Sequence, residues 1–269
     1  MNDNKDFFEK TSSEFLELAS EIRMKILYEI LVKKSRVTLM AKKLGVTAQE
    51  VHRNFDRMTN AGLLEQVKDG SYQITPYGKA ICYQIPSIAF LSKNKEYFEK
   101  HSFGDLPPKF IRRIGDLNES EYIHGVSRVL EKWKSIYKNA DEYIFTLLAE
   151  TPLDLLELMV KRVKKGVRYR HIISENAVIP KGRKKLLRQI GFYPLLELGK
   201  IERRMLKDVK VMIIMNEAEG AAMFSSIDGR PDLGGMFWSD NKNFHEWCID
   251  YFRYCWNLSD PFKEFKLKE

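Results

Sequence analysis

The feature that most constrains this chain is the order of three helical patterns and one alternating pattern between Ser20 and Thr75. The first helical pattern begins behind Ser20, a residue type that caps helices, and the second is short and ends at Gly45. The third begins at Thr47 and ends at Gly62, and its apolar spacing is typical of a helix with one buried face. Its inner stripe is predicted to consist of Val51, Phe55 and Met58.

The alternating pattern follows directly. Two stretches of alternating polarity, 63–67 and 71–75, flank Lys68-Asp69-Gly70, and Asp-Gly between such stretches indicates a β-hairpin. A helix, a short helix, a glycine turn, a third helix and a hairpin in this order are typical of a winged helix-turn-helix domain. The alternative is a winged helix that serves only protein contacts.

Charge favours an anionic partner. The 269-residue chain has 45 Lys and Arg against 37 Asp and Glu, a net charge of +8. Between Arg23 and Lys79, eleven basic residues outnumber five acidic ones, which gives this stretch a net charge of +6. A basic winged helix is suited to double-stranded DNA, whose phosphates supply most of the binding energy.

The outer side of the third helix is expected to enter the major groove of DNA. Arg53 has the donors for guanine, Gln49 has the groups for adenine, and Thr47 or His52 would meet phosphates or base edges. The alternative is an ordinary solvated helix face and, at the hairpin, ordinary turn solubility. The complete set of predicted DNA-binding residues is Thr47, Gln49, His52, Arg53, Arg57, Lys68 and Tyr72.

The length of the chain favours two domains, and the order of predicted helices and strands places one at each end of the chain. We predict a winged helix domain over 1–80, a helical connector and linker over 81–120, and an α/β domain over 121–269. The linker is expected at 101–115, where Gly104 and two prolines interrupt the pattern. Helices are predicted at 123–137, 153–164, 181–189 and 244–256, and strands at 142–149, 167–173, 209–215, 221–225 and 236–238. The fold class is therefore α+β with several domains.

Several segments carry a resemblance to a known family. They are Leu-Met-Val-Lys-Arg-Val-Lys-Lys-Gly-Val-Arg-Tyr-Arg (158–170), Glu-Asn-Ala-Val-Ile-Pro (175–180), Glu-Arg-Arg (202–204), Phe-His-Glu-Trp-Cys (244–248) and the preceding Leu-Pro-Pro-Lys-Phe-Ile-Arg-Arg-Ile-Gly-Asp-Leu (106–117). The C-terminal half of the chain, which contains these segments, resembles the archaeal methanogenesis-regulator (FilR-type) domain. In that family the domain follows a winged helix. The resemblance implies an archaeal transcription regulator whose C-terminal domain is a non-catalytic sensor, related in shape to phospholipase D-like domains.

The motifs of catalysis are missing from the sequence. Phospholipase D-like catalysis needs a histidine with a lysine two residues later, and none of the five histidines has one. There is no GxSxG, P-loop or HExxH motif either, so we expect no enzymatic activity, no metal and no cofactor. Cys82, Cys248 and Cys255 lack CxxC spacing and are expected to be reduced and mostly buried. Oxidation of Cys248 and Cys255 between chains is the alternative.

The second domain has polar residues where ligands gather in α/β sheets. Arg170 lies on a predicted strand, Asn176 follows that strand, and Arg183 opens the next helix. These residues favour a small anionic ligand, although most of the basic residues here are expected to be solvated. Trp238 and His245 are further candidates for the ligand site, with a place in the core as the alternative.

Together these observations predict a ligand-responsive DNA-binding transcription regulator that acts as a homodimer. One alternative is an architectural DNA-binding protein whose second domain only dimerises, and the other is a degenerate phosphodiesterase. The longest apolar runs are too short to span a membrane and the N-terminus is no signal peptide, so we expect a cytoplasmic protein without membrane contact.

Overall fold

The computed structural model describes residues 2–267 and divides into two compact units, Met1–Pro86 and Ser87–Glu269. Residues 87–120, which the sequence places in a separate connector, belong to the second unit. The reason is burial, since five apolar side chains of this stretch lie in the core of that unit: Phe90, Leu106, Phe110, Ile114 and Leu117. Gly104 and the two prolines therefore interrupt helices without marking a boundary between units.

The first unit has five helices and a two-stranded sheet. The helices are α1 (Asn2–Leu18), α2 (Glu21–Val32), α3 (Val37–Leu44), α4 (Ala48–Asn60) and α5 (Pro76–Cys82), and the strands are β1 (Leu64–Gln66) and β2 (Tyr72–Ile74). The strands are antiparallel, which confirms the predicted hairpin. The three predicted helices are confirmed as α2, α3 and α4.

Local hydrogen bonds explain where these helices begin and end. The Ser20 hydroxyl accepts from the Arg23 N–H at the start of α2, and the Thr47 hydroxyl accepts from the Glu50 N–H at 3.1 Å at the start of α4. Gly45 ends α3 with a φ of +69°, a conformation that favours glycine. Helix α1 was not predicted, because most of its apolar side chains, among them Phe7, Phe8, Phe15 and Leu16, are exposed and form no buried stripe.

The core of the first unit forms between α2, α4 and the hairpin. The predicted inner stripe is confirmed, since Val51, Phe55 and Met58 are all fully buried. Ile26 and Leu27 of α2 are buried in the same cluster. Burial of α4 on one side fixes which residues remain on its outer side.

The second unit is a mixed sheet with helices. Its helices are α6 (Ile85–Lys93), whose first two residues still belong to the first unit, α7 (Lys95–Phe98), α8 (Pro108–Arg112), α9 (Val126–Asn139), α10 (Leu156–Lys164), α11 (Arg183–Gln189), α12 (Phe192–Glu197) and α13 (Lys242–Leu258). Short 3₁₀ helices cover Ile114–Leu117, Leu153–Leu155 and Glu264–Lys266. Its strands are β3 (Glu121–His124), β4 (Tyr143–Glu150), β5 (Arg168–Val178), β6 (Ile201–Leu206), β7 (Val211–Met215), β8 (Gly220–Phe224), β9 (Gly235–Ser239) and β10 (Asp260–Pro261).

The eight strands form one sheet in the order β10-β6-β5-β4-β7-β8-β9-β3. The pairs β4–β5 and β5–β6 are parallel, and the other pairs are antiparallel. The predicted α+β class, with an N-terminal winged helix and a C-terminal α/β domain, is confirmed. Strands β3 and β6 and helix α12 were not predicted. The residues of β3 overlap the start of a predicted helix, and α12 and β6 follow α11 in the chain. The edge strand β10 is also new.

The alternation of side chains along the parallel strands separates two faces of the sheet. Thr146, His171 and Arg203 are paired neighbours in register on β4, β5 and β6, and so lie on one face. Arg170, one residue before His171, points to the opposite face, which α13 contacts through β4, β6, β7 and β8. The predicted apolar stripe of α13 is confirmed by the burial of Phe244, Trp247, Cys248, Tyr251, Phe252 and Cys255.

The three cysteines are free and buried, as predicted. Burial raises the pKa of the Cys248 and Cys255 thiols, so neither is a reactive thiolate at neutral pH. These properties favour inert core thiols over oxidation between chains. Among residues 2–267, no helix has the length and apolar character needed to cross a membrane.

Candidate functional site

The outer side of α4 borders an open groove in the first unit. The groove has a volume of about 780 Å³ and is lined by Val37, Thr47, Ala48, Gln49, Glu50, His52, Arg53 and Asp56. Its residues are those opposite the buried stripe, together with the first residue of α3. The placement of these residues on the outer side of α4 is confirmed, and Glu50 and Asp56 make this side less basic than the unit as a whole.

Two of the predicted DNA-binding side chains have free hydrogen-bonding groups. Gln49 and Arg53 are exposed, and neither side chain forms a hydrogen bond or ion pair with any residue between 2 and 267. A guanidinium and an amide in this state have donors available for a partner that arrives from solvent. Of the predicted residues on α4, these two fit direct base contact best.

His52 and Arg57 are engaged within the protein. The His52 Nδ1 lies 2.8 Å from an Asp56 carboxylate oxygen one turn away. Arg57 donates to both carboxylate oxygens of Glu17 on α1, with a shortest distance of 2.7 Å, and this pairing holds the pKa of Glu17 below its usual range. Arg57 thus joins α4 to α1, a contact that the sequence could not reveal while α1 was unknown.

The other three predicted DNA-binding residues differ in their exposure. Thr47 borders the groove, where its hydroxyl already caps α4. Lys68 is exposed in the turn of the hairpin. Tyr72 is only 6% exposed, and its ring lies 4.4 Å from the ring of Phe55. Its predicted role as a wing contact is therefore corrected, because its place on β2 directs the ring into the core.

The turn of the hairpin is fixed by charged groups. Lys34 donates to the Asp69 carboxylate at 2.8 Å, and Ser71 donates to the same group from its backbone and its hydroxyl. These hydrogen bonds hold the pKa of Asp69 well below its usual range. Arg36 donates to the Asp69 carbonyl at 2.9 Å. Lys68 is thereby presented from an ordered turn.

The predicted ligand residues of the second unit do not form one site. Arg170 pairs with Glu202 at 2.7 Å and lies over the ring of Trp256, on the face that α13 covers. Arg183 is buried and donates to Glu264 at 3.0 Å. Arg203, which lies on the face of the sheet opposite Arg170, also donates to Glu264. The sequence placed both arginines near one sheet edge but gave no information on which face each would use.

The remaining three candidates have separate partners. The Asn176 amide donates to the Lys207 carbonyl at 3.1 Å. The Trp238 indole donates to Glu219 at 2.6 Å, and His245 Nε2 lies 2.8 Å from the Asn216 carbonyl oxygen. These contacts support structural roles for Trp238 and His245, the alternative that the sequence left open.

A buried polar cluster in the second unit was missed. It contains Thr146, His171, Arg183, Arg203 and Glu264. The signal available in the sequence was Arg203 beside Arg204 between the apolar residues Ile201 and Met205, but strand β6 was not predicted and the pairing with Glu264 is distant in sequence. No group of three or more His, Cys, Asp or Glu side chains in the described chain is arranged to hold a metal ion.

No protein-family model matches the sequence, and no curated protein matches it. Among solved structures, the chain is similar to TrmBL2, an archaeal chromatin protein whose structure is said to show a novel mode of DNA binding. The TM-score is 0.41 at 13% identity, with 88% of this chain and 92% of that chain covered.

Two further similarities concern about half of this chain. With NucT from Helicobacter pylori the TM-score is 0.41 at 11% identity, covering 53% of this chain and 98% of that chain. With Nuc from Salmonella typhimurium, a phospholipase D family member, it is 0.38 at 12% identity, covering 54% and 100%. These values assign the chain neither a family nor a function, and the resemblance to the FilR-type domain stays a prediction.

Proposed function

We propose that this chain is a DNA-binding transcription regulator whose second unit senses a small anionic ligand. The observation that carries the proposal is the outer side of α4, where Gln49 and Arg53 present free hydrogen-bonding groups on a winged helix. In such domains this helix enters the major groove, where an arginine recognises guanine and a glutamine recognises adenine. Lys68 in the ordered hairpin turn would contact a phosphate.

The sensor role of the second unit is supported by charge. Buried arginines are costly unless they are compensated, and in this unit Arg183 and Arg203 share a single carboxylate. An anionic ligand would lower that cost. The proposal assigns no catalytic role to this unit, because its sequence lacks the motifs of hydrolytic catalysis.

The proposal includes pairing of two chains. Regulators of this class read two half-sites with a symmetric dimer. Phe8, Phe15 and Leu16 recur at i, i+7 and i+8 on α1 and are each more than half exposed, a surface that a second copy would cover. Light scattering measures the molar mass, and a monomer at micromolar concentration would contradict this part of the proposal.

The test of DNA binding is a titration of the full chain against a pool of random duplexes at several salt concentrations. Affinity should fall with rising salt, with a log-log slope of about −0.9 for each phosphate contacted. Selection from the pool should yield a preferred site with the full chain, and Arg53→Ala should relax the base preference at one position. Lys242→Ala, which also removes one exposed positive charge, is the matched control. Affinity that is independent of salt would overturn the proposal.

A further inference from the structure

The buried polar cluster of the second unit begins as a row across three strands. Thr146 on β4, His171 on β5 and Arg203 on β6 are adjacent in register. Thr146 and His171 lie within hydrogen-bond distance at 2.8 Å, and His171 is 4% exposed. Arg183, the first residue of α11, adds a second guanidinium to this face.

One carboxylate joins the two guanidiniums. Arg183 Nη1 lies 3.0 Å from one oxygen of Glu264, and Arg203 Nη1 lies 3.2 Å from the other. The side chains of Arg183 and Arg203 are only 4% and 8% exposed. The Nε atoms of both are buried and have no hydrogen-bond partner in residues 2–267. Two buried positive charges are thus matched by one negative charge, and two N–H donors stay unused.

His171 contributes no charge to the cluster at neutral pH. Burial, and the charges of Arg183 and Arg203, lower the pKa of His171 to about 3. At neutral pH it is an uncharged ring within the row. The excess charge of the cluster therefore belongs to the arginines alone.

Glu264 reaches the cluster from a segment with few strand contacts. Residues 260–267 pair with β6 through only two positions, Asp260 with Met205 and Pro261 with Arg204. The segment is further held by Phe262, whose ring lies 3.8 Å from the Arg203 guanidinium, and by an ion pair between Lys266 and Glu175. Local opening of so short a pairing costs less than opening of the central strands.

We propose that Arg183 and Arg203 form a binding site for a phosphate group, and that Glu264 occupies this site as an internal ligand that the phosphate displaces. A phosphate group near pH 7 has more than one negative charge, about −1.5 to −2 for an ester, and its oxygens accept the paired hydrogen bonds that guanidinium groups offer. It would compensate both arginines, whereas Glu264 compensates one. Its use as the effector of a regulator rests on the proposed function, but phosphate binding itself does not.

The experiment uses the full chain and two probes, inorganic phosphate and glycerol phosphate, at constant ionic strength and pH 7. Unfolding is followed by tryptophan fluorescence, because all four tryptophans lie in the second unit. Calorimetric titration gives the affinity. We expect both probes to raise the midpoint of thermal unfolding, and binding of glycerol phosphate alone would assign the site to phosphate esters.

The variants separate this site from surface binding. Glu264→Gln removes the competing carboxylate and should tighten phosphate binding at least tenfold, whereas Arg203→Lys should weaken it at least tenfold by removing the fork of donors. Arg170→Lys, on the opposite face of the sheet, is the matched control and should bind like the wild type. Hydrogen exchange should show increased opening of residues 260–267 when phosphate binds.

Unchanged affinity in Glu264→Gln, or wild-type affinity in Arg203→Lys, would overturn the inference, and so would a failure of both inorganic phosphate and glycerol phosphate to bind. If Arg203→Lys does not fold, Glu264→Gln and the hydrogen exchange measurement still decide. DNA binding without any phosphate binding would overturn the inference and leave the DNA-binding role intact. Phosphate binding that leaves DNA affinity unchanged would support the site and contradict its role as sensor.

Discussion

Each unit of this protein joins two arginines through one glutamate, but the two arrangements differ in burial. In the first unit, Glu17 lies 2.7 Å from Arg57 and 3.5 Å from Arg23, and the Arg23 side chain is 11% exposed whereas that of Arg57 is 53% exposed. In the second unit, Glu264 joins two arginines whose side chains are less than a tenth exposed. Water reaches the Arg57 guanidinium in the first arrangement, whereas in the second both guanidiniums are enclosed and water reaches only the Glu264 carboxylate, which is 32% exposed.

The comparison shows what each group of charges is suited to. In the first unit the glutamate engages Arg57 and leaves the neighbouring Arg53 without a partner, so that free donors face solvent and suit an extended polyanion such as DNA. In the second unit the excess charge is enclosed, which suits a small anion. Arginines thus suit a polyanion where their donors face solvent, and a small anion where they are buried.

The largest effect is expected from removing the carboxylate that joins Arg183 and Arg203 in the second unit. Glu264→Ala leaves two buried guanidiniums without a carboxylate, and it should lower the free energy of unfolding of the second unit by about 3 kcal/mol, near the lower end for buried pairs because Glu264 is 32% exposed. Denaturant unfolding followed by tryptophan fluorescence measures this loss. Glu17→Ala, followed by circular dichroism, should cost less. An equal loss of unfolding free energy in both variants would contradict the inference that the difference in burial between Arg57 and the two arginines of the second unit matters.

The next effect tests the difference between Arg53 and Arg57 within the first unit. Arg53→Ala should weaken binding to a preferred DNA site by about 1–3 kcal/mol without lowering the unfolding midpoint, because its guanidinium has no partner in the described chain. Arg57→Ala should lower the unfolding midpoint by removing the ion pair with α1. Fluorescence anisotropy on labelled duplexes and calorimetry measure the two quantities. The reverse outcome would assign base contact to Arg57.

The third effect is the pH dependence of the second unit. The unfolded chain binds a proton on His171 below about pH 6.5, whereas the folded unit excludes it until about pH 3. The free energy of unfolding should therefore fall as the pH decreases through this window, by at most about 1.4 kcal/mol per pH unit from this group. Between pH 6.5 and 5 the wild type should lose more stability than His171→Gln. Parallel curves for the two proteins would show that the ring is accessible to protons.

The smallest effect concerns the hairpin. Lys68→Ala should weaken binding to all DNA sequences to a similar degree and reduce the salt slope by about 0.9, as expected for the loss of one phosphate contact. A titration of the preferred duplex and a scrambled duplex at several salt concentrations measures both. A loss confined to the preferred duplex would mean that Lys68 reads bases.

Much of the first unit could be predicted because its signals are local. The hydroxyl of Ser20 and that of Thr47 bond to an N–H three residues away, and Gly45 ends a helix through its own φ angle. The second unit was predicted in outline, but β3 and β6 were missed. Strand β3 has only four residues, and the burial of β6 alternates only partly, so no clear period of two distinguished these strands from their surroundings.

The sequence by itself determined the winged helix, the inner stripe of α4 and hence the outer residues Gln49 and Arg53, because a helical period of 3.6 residues relates one face to the other. Only the tertiary structure decided that Arg57 is paired with Glu17, that Tyr72 is buried and that Arg170 and Arg183 lie on opposite faces of a sheet. It alone joined Arg183 and Arg203 to Glu264, 81 and 61 residues away. The physical reason is that such contacts depend on strand order and register, which no local pattern specifies.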